Sequence, residues 1–465
     1  MEHKWIPNSS NEIKKSMLDY IGVKDILELY NDIPKEILIN EKIWDNLGIG
    51  KKRPLDEIEV EKVIDDILNN NLIFKESKLF IGGGAWPHYV PAAVQYLAER
   101  GELLTAYTPY QPEISQGLLQ ILFEYQSLMA DILEMDVVNA SMYDMASSLG
   151  EAFLMSYRIN NKKKILIPET INPFHLSVAK SYTSPHEISL VTYKVDPETG
   201  YADIEDLKSK SSDDISAIYL EYPYQYTGVV DVNAKPIGEI AHSKKALFIM
   251  GVNPTSLMIY KTPGELDADI SIGEGQPLGL GLNFGGPYLG IFATKWNAEF
   301  VKQMPGRLIG MTTTIDGSSR AFAMIMQTRE QHIRRSKATS NITTNSGLSA
   351  MIAAFYVSLL GKKGLKDVAE ATWYRSHYAS KQLSYLGFKS PLFKGEFFGD
   401  FIIDVKTNFE DLRNVMIKEG LLFGIPLSKY VTWAKDSWGL LSFTEVHSKS
   451  DIDLLLDKLK KIKGE

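Results

Sequence analysis

From residue 136 onward, short runs rich in β-branched residues alternate with stretches patterned for helix, and no other feature restricts the fold of this chain as much. The runs are DVVNAS, KKILIP, EISLVTY, SAIYLEYP, ALFIMGV, ADISIG and YLGIFAT. Alternation of this kind is the pattern of a mostly parallel sheet flanked by helices on both faces, an α/β fold. Beyond it, Leu348, Met351, Ile352, Phe355, Tyr356, Leu359 and Leu360 share one helical stripe, which predicts a long helix ended near Gly361. FFGDFIIDV, FEDLRNVMIKEG, LLSFT and DIDLLLDKLKKI then predict a small C-terminal α+β domain. The first eighty residues carry scattered Leu and Ile at helical spacing among lysines and acids, as a helical arm or cap would. The expected division is therefore an N-terminal helical arm over 1–78, a large α/β domain over 79–345, and the long helix with the small domain over 346–465.

With 465 residues, 44% of them apolar, the chain can bury a large core. It has no cysteine, so disulfides, thiolate metal sites and a cysteine nucleophile are excluded. The eight histidines are scattered and suggest no metal cage. A formal net charge of -8 offers nothing to attract nucleic acid, and the basic tail KLKKIKG is expected to be a solvated helix end. MEHKWIPNSSNEIKKSM has neither an apolar signal core nor twin arginines, and LSAMIAAFYVSLLG is too short to span a bilayer. A cytoplasmic address with no membrane partner is the expectation.

Five segments are candidates for chemistry. IGGGAWPH lacks the spacing of a nucleotide loop, so a tight turn is the simpler reading. In VNASMYDMASSLGEAF a strand leads through Asp144 into a helix, and the free N–H groups with Ser147 could cradle an anion. Capping by Asp144 alone is the simpler account. GEGQPLGLGLNFGGP joins two strands with six glycines, either for close backbone approach or as a long flexible loop. QTREQHIRRSKATSN gathers Arg329, Arg334 and Arg335 about His332, as a solvated face or as an anion or interface site. TAYTPYQPEISQG stiffens a polar surface with Pro109 and Pro112, as a presented surface would.

Together TAYTPYQPEISQGLLQILFEYQ, MDVVNASMYD, PGRLIGMTT and QTREQHIRRSKATSNITTN resemble the P-protein of the glycine cleavage system, the decarboxylating glycine dehydrogenase. The likeness is to its N-terminal half, or separate subunit 1, and it spans nearly the whole chain. The resemblance implies a fold-type-I pyridoxal-phosphate-dependent transferase fold. It also implies a reaction that removes the carboxylate of glycine as CO₂ and passes the aminomethyl group to the lipoyl arm of H-protein, with pyridoxal phosphate as electron sink. In the catalytic half of that family the cofactor lysine lies eleven residues before the proline of a GGP loop; the same count from Pro287 reaches Gln276. The acid that pairs with the pyridine nitrogen ends the preceding strand, and here ALFIMGVN ends on Asn253. Neither amide can do the work of the group it replaces.

The resemblance therefore implies a chain that binds no cofactor itself, with pyridoxal phosphate on a partner subunit 2, in a heterodimer doubled to α₂β₂. In that arrangement His88, Tyr107, Thr108, Tyr110, Gln111, Glu113, Ser115 and Gln116 face a shared cleft or interface. Two alternatives stay open: an autonomous pyridoxal-phosphate enzyme using Lys244, Lys245, Lys261 or Lys295, and a non-catalytic scaffold. EYPYQYTG replaces the family's more usual Pro-Asn-Phe-Phe-Gly, and Thr343 and Ser346 stand where Cys and Gln are common.

Overall fold

The computed structural model describes residues 5–38, 54–327, 330–342 and 345–464; Arg329 and Thr343, singled out above, lie outside the described residues. The chain divides into two compact units, Met1–Ile73 and Phe74–Glu465. The first holds helices Asn11–Ile21 and Glu57–Leu68, capped by Ser10 and by a capping box on Asp56, and neither helix has a buried residue.

In the second unit the strands, in chain order, are β1 (Leu79–Phe80), β2 (Val137–Val138), β3 (Lys164–Pro168), β4 (Ser189–Tyr193), β5 (Ile215–Tyr222), β6 (Leu247–Val252) and β7 (Ile270–Glu274). They continue with β8 (Gly290–Thr294), β9 (Leu308–Thr313), β10 (Arg320–Ile325), β11 (Asp400–Asp404), β12 (Leu422–Phe423), β13 (Ile425–Pro426) and β14 (Trp438–Ser442). A seven-stranded sheet runs β2-β8-β7-β6-β5-β3-β4, and β8 alone runs opposite to the other six strands. β5, β6, β7 and β8 are buried along their whole length. Helices therefore cover both faces, and the C-terminal ends of the parallel strands open together on one edge of the sheet, where folds of this kind bind ligands.

The expected strands are all present, but two expectations change. The helix predicted to end at Gly361 breaks there, with φ 61, and then resumes to Tyr385. It resumes because Leu365, Ala369, Thr372, Ser376, Ala379, Ser380 and Leu383 form a second buried stripe. Its first half packs by small residues, Ala350, Ala353 and Ala354, against helix Gln116–Leu133, while Leu359 points outward and is 54% exposed. Gly347–Tyr385 is also the one described helix long and apolar enough to cross a membrane by length and composition; here its small-residue face lies in the core. The second change is an antiparallel hairpin, β9–β10, that the sequence reading does not contain. Gln116 and Gln126 clamp it: Gln116 exchanges bonds with the backbone of Phe322 at 2.8 and 2.9 Å, and Gln126 with that of Ile309 at 2.9 and 3.0 Å.

The small C-terminal sheet runs β11-β14-β13 and has its own apolar cluster around Phe401, Phe409 and Phe423. Asp400 ties it to the glycine-rich segment, accepting from Trp86 Nε1 at 2.8 Å and Gly83 N–H at 3.2 Å. Gly83 and Gly84 sit at φ 77 and φ 129, which only glycine tolerates easily, so IGGGAWPH is a tight turn pinned between sheet and small domain.

Candidate functional site

At the open edge of the sheet is a crevice of about 740 Å³ lined among others by Gly83, Gly84, Asp144, Asn172, His175 and Glu274. The N-terminus of helix Met145–Asn160 points toward it, and two of its free N–H groups, those of Met145 and Ser147, are already taken. Asp144 Oδ1 accepts from Ser147 N–H at 2.7 Å and Ser147 Oγ at 2.8 Å, so the serine closes a capping box. Glu274 Oε2 accepts from Met145 N–H at 3.2 Å, and its Oε1 accepts from Gln276 and Leu289 N–H groups at 3.0 and 3.2 Å. Two carboxyl groups thus occupy two of the donors that a phosphate would need, and a phosphate there would meet like charge from Asp144.

Gln276 is fully buried and does not face the crevice. Its Nε2 donates to the carbonyls of Trp86 and Leu280 at 2.9 and 3.0 Å, and its Oε1 accepts from Trp86 N–H at 3.0 Å. Every capacity of the amide except one lone pair is spent on backbone. Asn253 follows β6 and turns its Oδ1 to Thr255 N–H at 3.0 Å, closing a loop rather than addressing a ring. The lysines weighed as substitutes do not line the crevice. Lys244 and Lys245 precede β6 and Lys295 follows antiparallel β8, all at the opposite edge of the sheet; Lys244 pairs with Asp213 at 3.1 Å and Lys295 with Asp269 at 3.3 Å. Lys429 does line the crevice, but its ammonium is held by Glu410. His175, whose Nδ1 has no hydrogen-bond partner, faces the crevice and could meet a ring; burial lowers its pKa to about 4. With two of the helix N–H donors taken, like charge from Asp144 and no amine of the crevice free to hold an aldehyde, the described crevice residues do not fit pyridoxal phosphate.

Burial pushes the Glu274 carboxyl up to about 8 and that of Glu221, on β5, up to about 7. Between its ordinary value of 4.5 and about 8, Glu274 holds a proton in the folded chain that the unfolded chain has released. Its contribution is fully present below the ordinary value and is lost as pH rises, at about 1.4 kcal/mol per pH unit across that window. Glu274→Gln keeps an oxygen for two of the three N–H groups and removes the titration. The variant is expected to show a flatter loss of stability between about pH 5 and about pH 8, measured by urea unfolding. Parallel curves for parent and variant would contradict the assignment.

The polar segment lies elsewhere and is organised by a residue that the sequence reading did not single out. Arg307, 3% exposed at the start of β9, donates to Thr108 Oγ1 at 3.2 Å and to Tyr110 Oη at 2.6 Å. Its guanidinium carbon is 4.9 Å from the centre of the Tyr110 ring, and its Nε is 3.5 Å from the buried carboxylate of Glu330. Glu330 is also 3.5 Å from His332 Nδ1, and the His332 ring meets Tyr110 edge-on at 6.0 Å. Thr108, Tyr110 and His332 are therefore brought together, joined by Arg307 and Glu330. Tyr107, Gln111 and Glu113 are exposed on the same segment, while Ser115 starts helix Gln116–Leu133 and Gln116 is committed to the hairpin. Arg334 is exposed near the cluster in sequence, and Arg335 lines a separate cavity of about 630 Å³ beside Glu151 and Arg158. His88 is 3% exposed, and its Nδ1 lies 2.7 Å from Glu445 of the small domain. Among the described residues no group of three or more His, Cys, Asp or Glu is placed to hold a metal ion.

A mostly parallel seven-stranded sheet with one antiparallel strand, crossed by a long helix into a small α+β domain, defines the fold-type-I class of pyridoxal-phosphate-dependent enzymes. A sphingosine-1-phosphate lyase from Burkholderia pseudomallei K96243 shares that fold, with a TM-score of 0.65 at 11% identity over 89% of this chain and 92% of its own. The chain belongs to the glycine cleavage system P-protein family, whose profile matches residues 3–459. A protein of Aeropyrum pernix named probable glycine dehydrogenase (decarboxylating) subunit 1 is 54% identical across 100% of both chains. One of the same name from Staphylothermus marinus is 52% identical over 100% of this chain and 99% of its own. A crystal structure of glycine decarboxylase (P-protein) of the glycine cleavage system in inhibitor-bound form superposes with a TM-score of 0.84 at 34% identity, covering 99% of this chain and 100% of that one. The designation of these relatives as subunit 1 implies a second subunit.

Proposed function

We propose that this chain is the cofactor-free subunit 1 of a two-chain glycine dehydrogenase (decarboxylating), pairing with a subunit 2 that carries pyridoxal phosphate. On that partner the cofactor supplies an electron sink for the loss of CO₂ from glycine, after which the aminomethyl group goes to the lipoyl arm of H-protein. This chain's part is to complete the cleft. The observation that carries the reading is Gln276, an amide bonded in both directions to backbone at the place of the cofactor lysine. The relatives named subunit 1 support the pairing, and a heterodimer doubled to α₂β₂, working in the cytoplasm, is the assembly it suggests. The exposed positions Tyr107, Tyr110, Gln111 and Glu113 supply hydroxyls, an amide and a carboxylate to one wall, and Pro109 and Pro112 limit the ordering entropy lost when that wall closes on a ligand.

Tyr110→Phe and Gln111→Ala test the cleft role in the assembled complex. Each is expected to lower glycine–bicarbonate exchange on the order of ten-fold, the worth of about one hydrogen bond, while the assembly keeps its mass. Full activity in both variants would favour a scaffold over a cleft wall.

A further inference from the structure

Resting on that reading, we infer that Arg307 is a positioning residue that sets Thr108 and Tyr110 as a pair of O–H donors for the carboxylate of glycine. A guanidinium can only donate. Because Arg307 gives one N–H to each hydroxyl, at 3.2 and 2.6 Å, both oxygens serve as acceptors on that side and turn their own hydrogens outward. Neither hydroxyl has another hydrogen-bond acceptor among the described residues, and Tyr110 is 44% exposed. Two adjacent O–H donors backed by one buried cation suit an acceptor with two oxygens and a negative charge, since each bond in such a chain strengthens the next.

The arrangement also suits a carboxylate that is to be lost. Its charge disperses as CO₂ leaves, so a direct ion pair with arginine would stabilise the starting state more than the transition state. Here the guanidinium lies behind the hydroxyls and is balanced by Glu330 Oε2 at 3.5 Å, so the carboxylate is oriented without a bare cation against it. The post itself is rigid: Arg307 O accepts Ala140 N–H at 2.7 Å, and a Cβ on Gly306, at φ 71, would come within 2.6 Å of Asn139 Nδ2. Segments 105–116 and 330–332, which sequence alone leaves as two candidates, thereby become one site.

The test uses the complex of both subunits with lipoylated H-protein and compares Tyr110→Phe, Arg307→Lys and the double variant Arg307→Gln/Glu330→Gln. Lysine keeps the charge but cannot fork to two hydroxyls, and it is expected to raise the KM for glycine about ten-fold with the KM for H-protein unchanged. The double variant removes both buried charges together, so it is expected to assemble and melt like the parent and still show the raised glycine KM. Recovery of the parent KM in the double variant would make Arg307 a merely structural partner of Glu330 and overturn the inference. So would a silent Arg307→Lys beside an impaired Tyr110→Phe, or a rise confined to the KM for H-protein. If Tyr110→Phe is silent as well, the inference falls, and the cleft role of the whole segment falls with it only where Gln111→Ala is silent too.

Discussion

Glycine–bicarbonate exchange is expected to fall to background when this chain is left out of an assay containing the second subunit, pyridoxal phosphate and lipoylated H-protein. The same loss is expected when the second subunit is left out. The reasons differ. On the proposed reading no cofactor lysine remains without the partner, because Gln276, at the position the family resemblance gives that lysine, serves the backbone of Trp86 and Leu280. Without this chain, on the same reading, the cofactor remains, but its cleft lacks the proposed wall that orients a small zwitterion and excludes water. Proximity and orientation can account for about 7–11 kcal/mol of a barrier, so losing a wall is as damaging as losing a reactive group. A scaffold would behave otherwise: the second subunit alone would retain measurable exchange, lowered only as far as its own stability falls.

Gln276→Lys should fail to create a cofactor site and should weaken the fold. The new ammonium would lie in a fully buried position, with two carbonyls to accept from it and no acceptor of its own for Trp86 N–H. An uncompensated buried charge costs on the order of 3–5 kcal/mol, which in a chain of this size appears as several degrees in Tm. A phosphate would still meet the charge of Asp144, and Glu274 and Asp144 would keep the Met145 and Ser147 N–H groups at the start of helix Met145–Asn160. Mixing the variant with pyridoxal phosphate is expected to give no aldehyde–lysine absorption band at the parent's Tm or below it. A yellow variant with an unchanged Tm would show that the crevice is intact and lacks only its amine.

What the sequence could and could not disclose follows from range. The seven strands of the main sheet were legible because each is a local apolar run bounded by turns, a signal contained in a few residues. The end of the long helix was misjudged at Gly361 because a glycine marks a break but says nothing of whether a second stripe resumes the helix. The hairpin β9–β10 was missed because RLIGMTT and RAFAMI are short and mixed in polarity, and their pairing rests on Gln116 and Gln126 from a helix far away in the chain. Arg307 gave no local sign either: its hydroxyl partners lie 199 and 197 residues before it. Glu274 was hidden among glycines, though a carboxylate at the end of an apolar strand, flanked by Gly273 and Gly275, is itself a sign of a buried acid with backbone partners. Ser147 closes a capping box with Asp144, a local pairing that the spacing of the two residues already allows.

Reduction of the assembled, working complex with borohydride, followed by mapping of the pyridoxyl-lysine it leaves, locates the cofactor. All of the label is predicted to fall on the second subunit. Label on any lysine of this chain, whether Lys244, Lys245, Lys261, Lys295 or the crevice residue Lys429, would contradict the claim that its part in the reaction is to shape a cleft around a cofactor held by its partner.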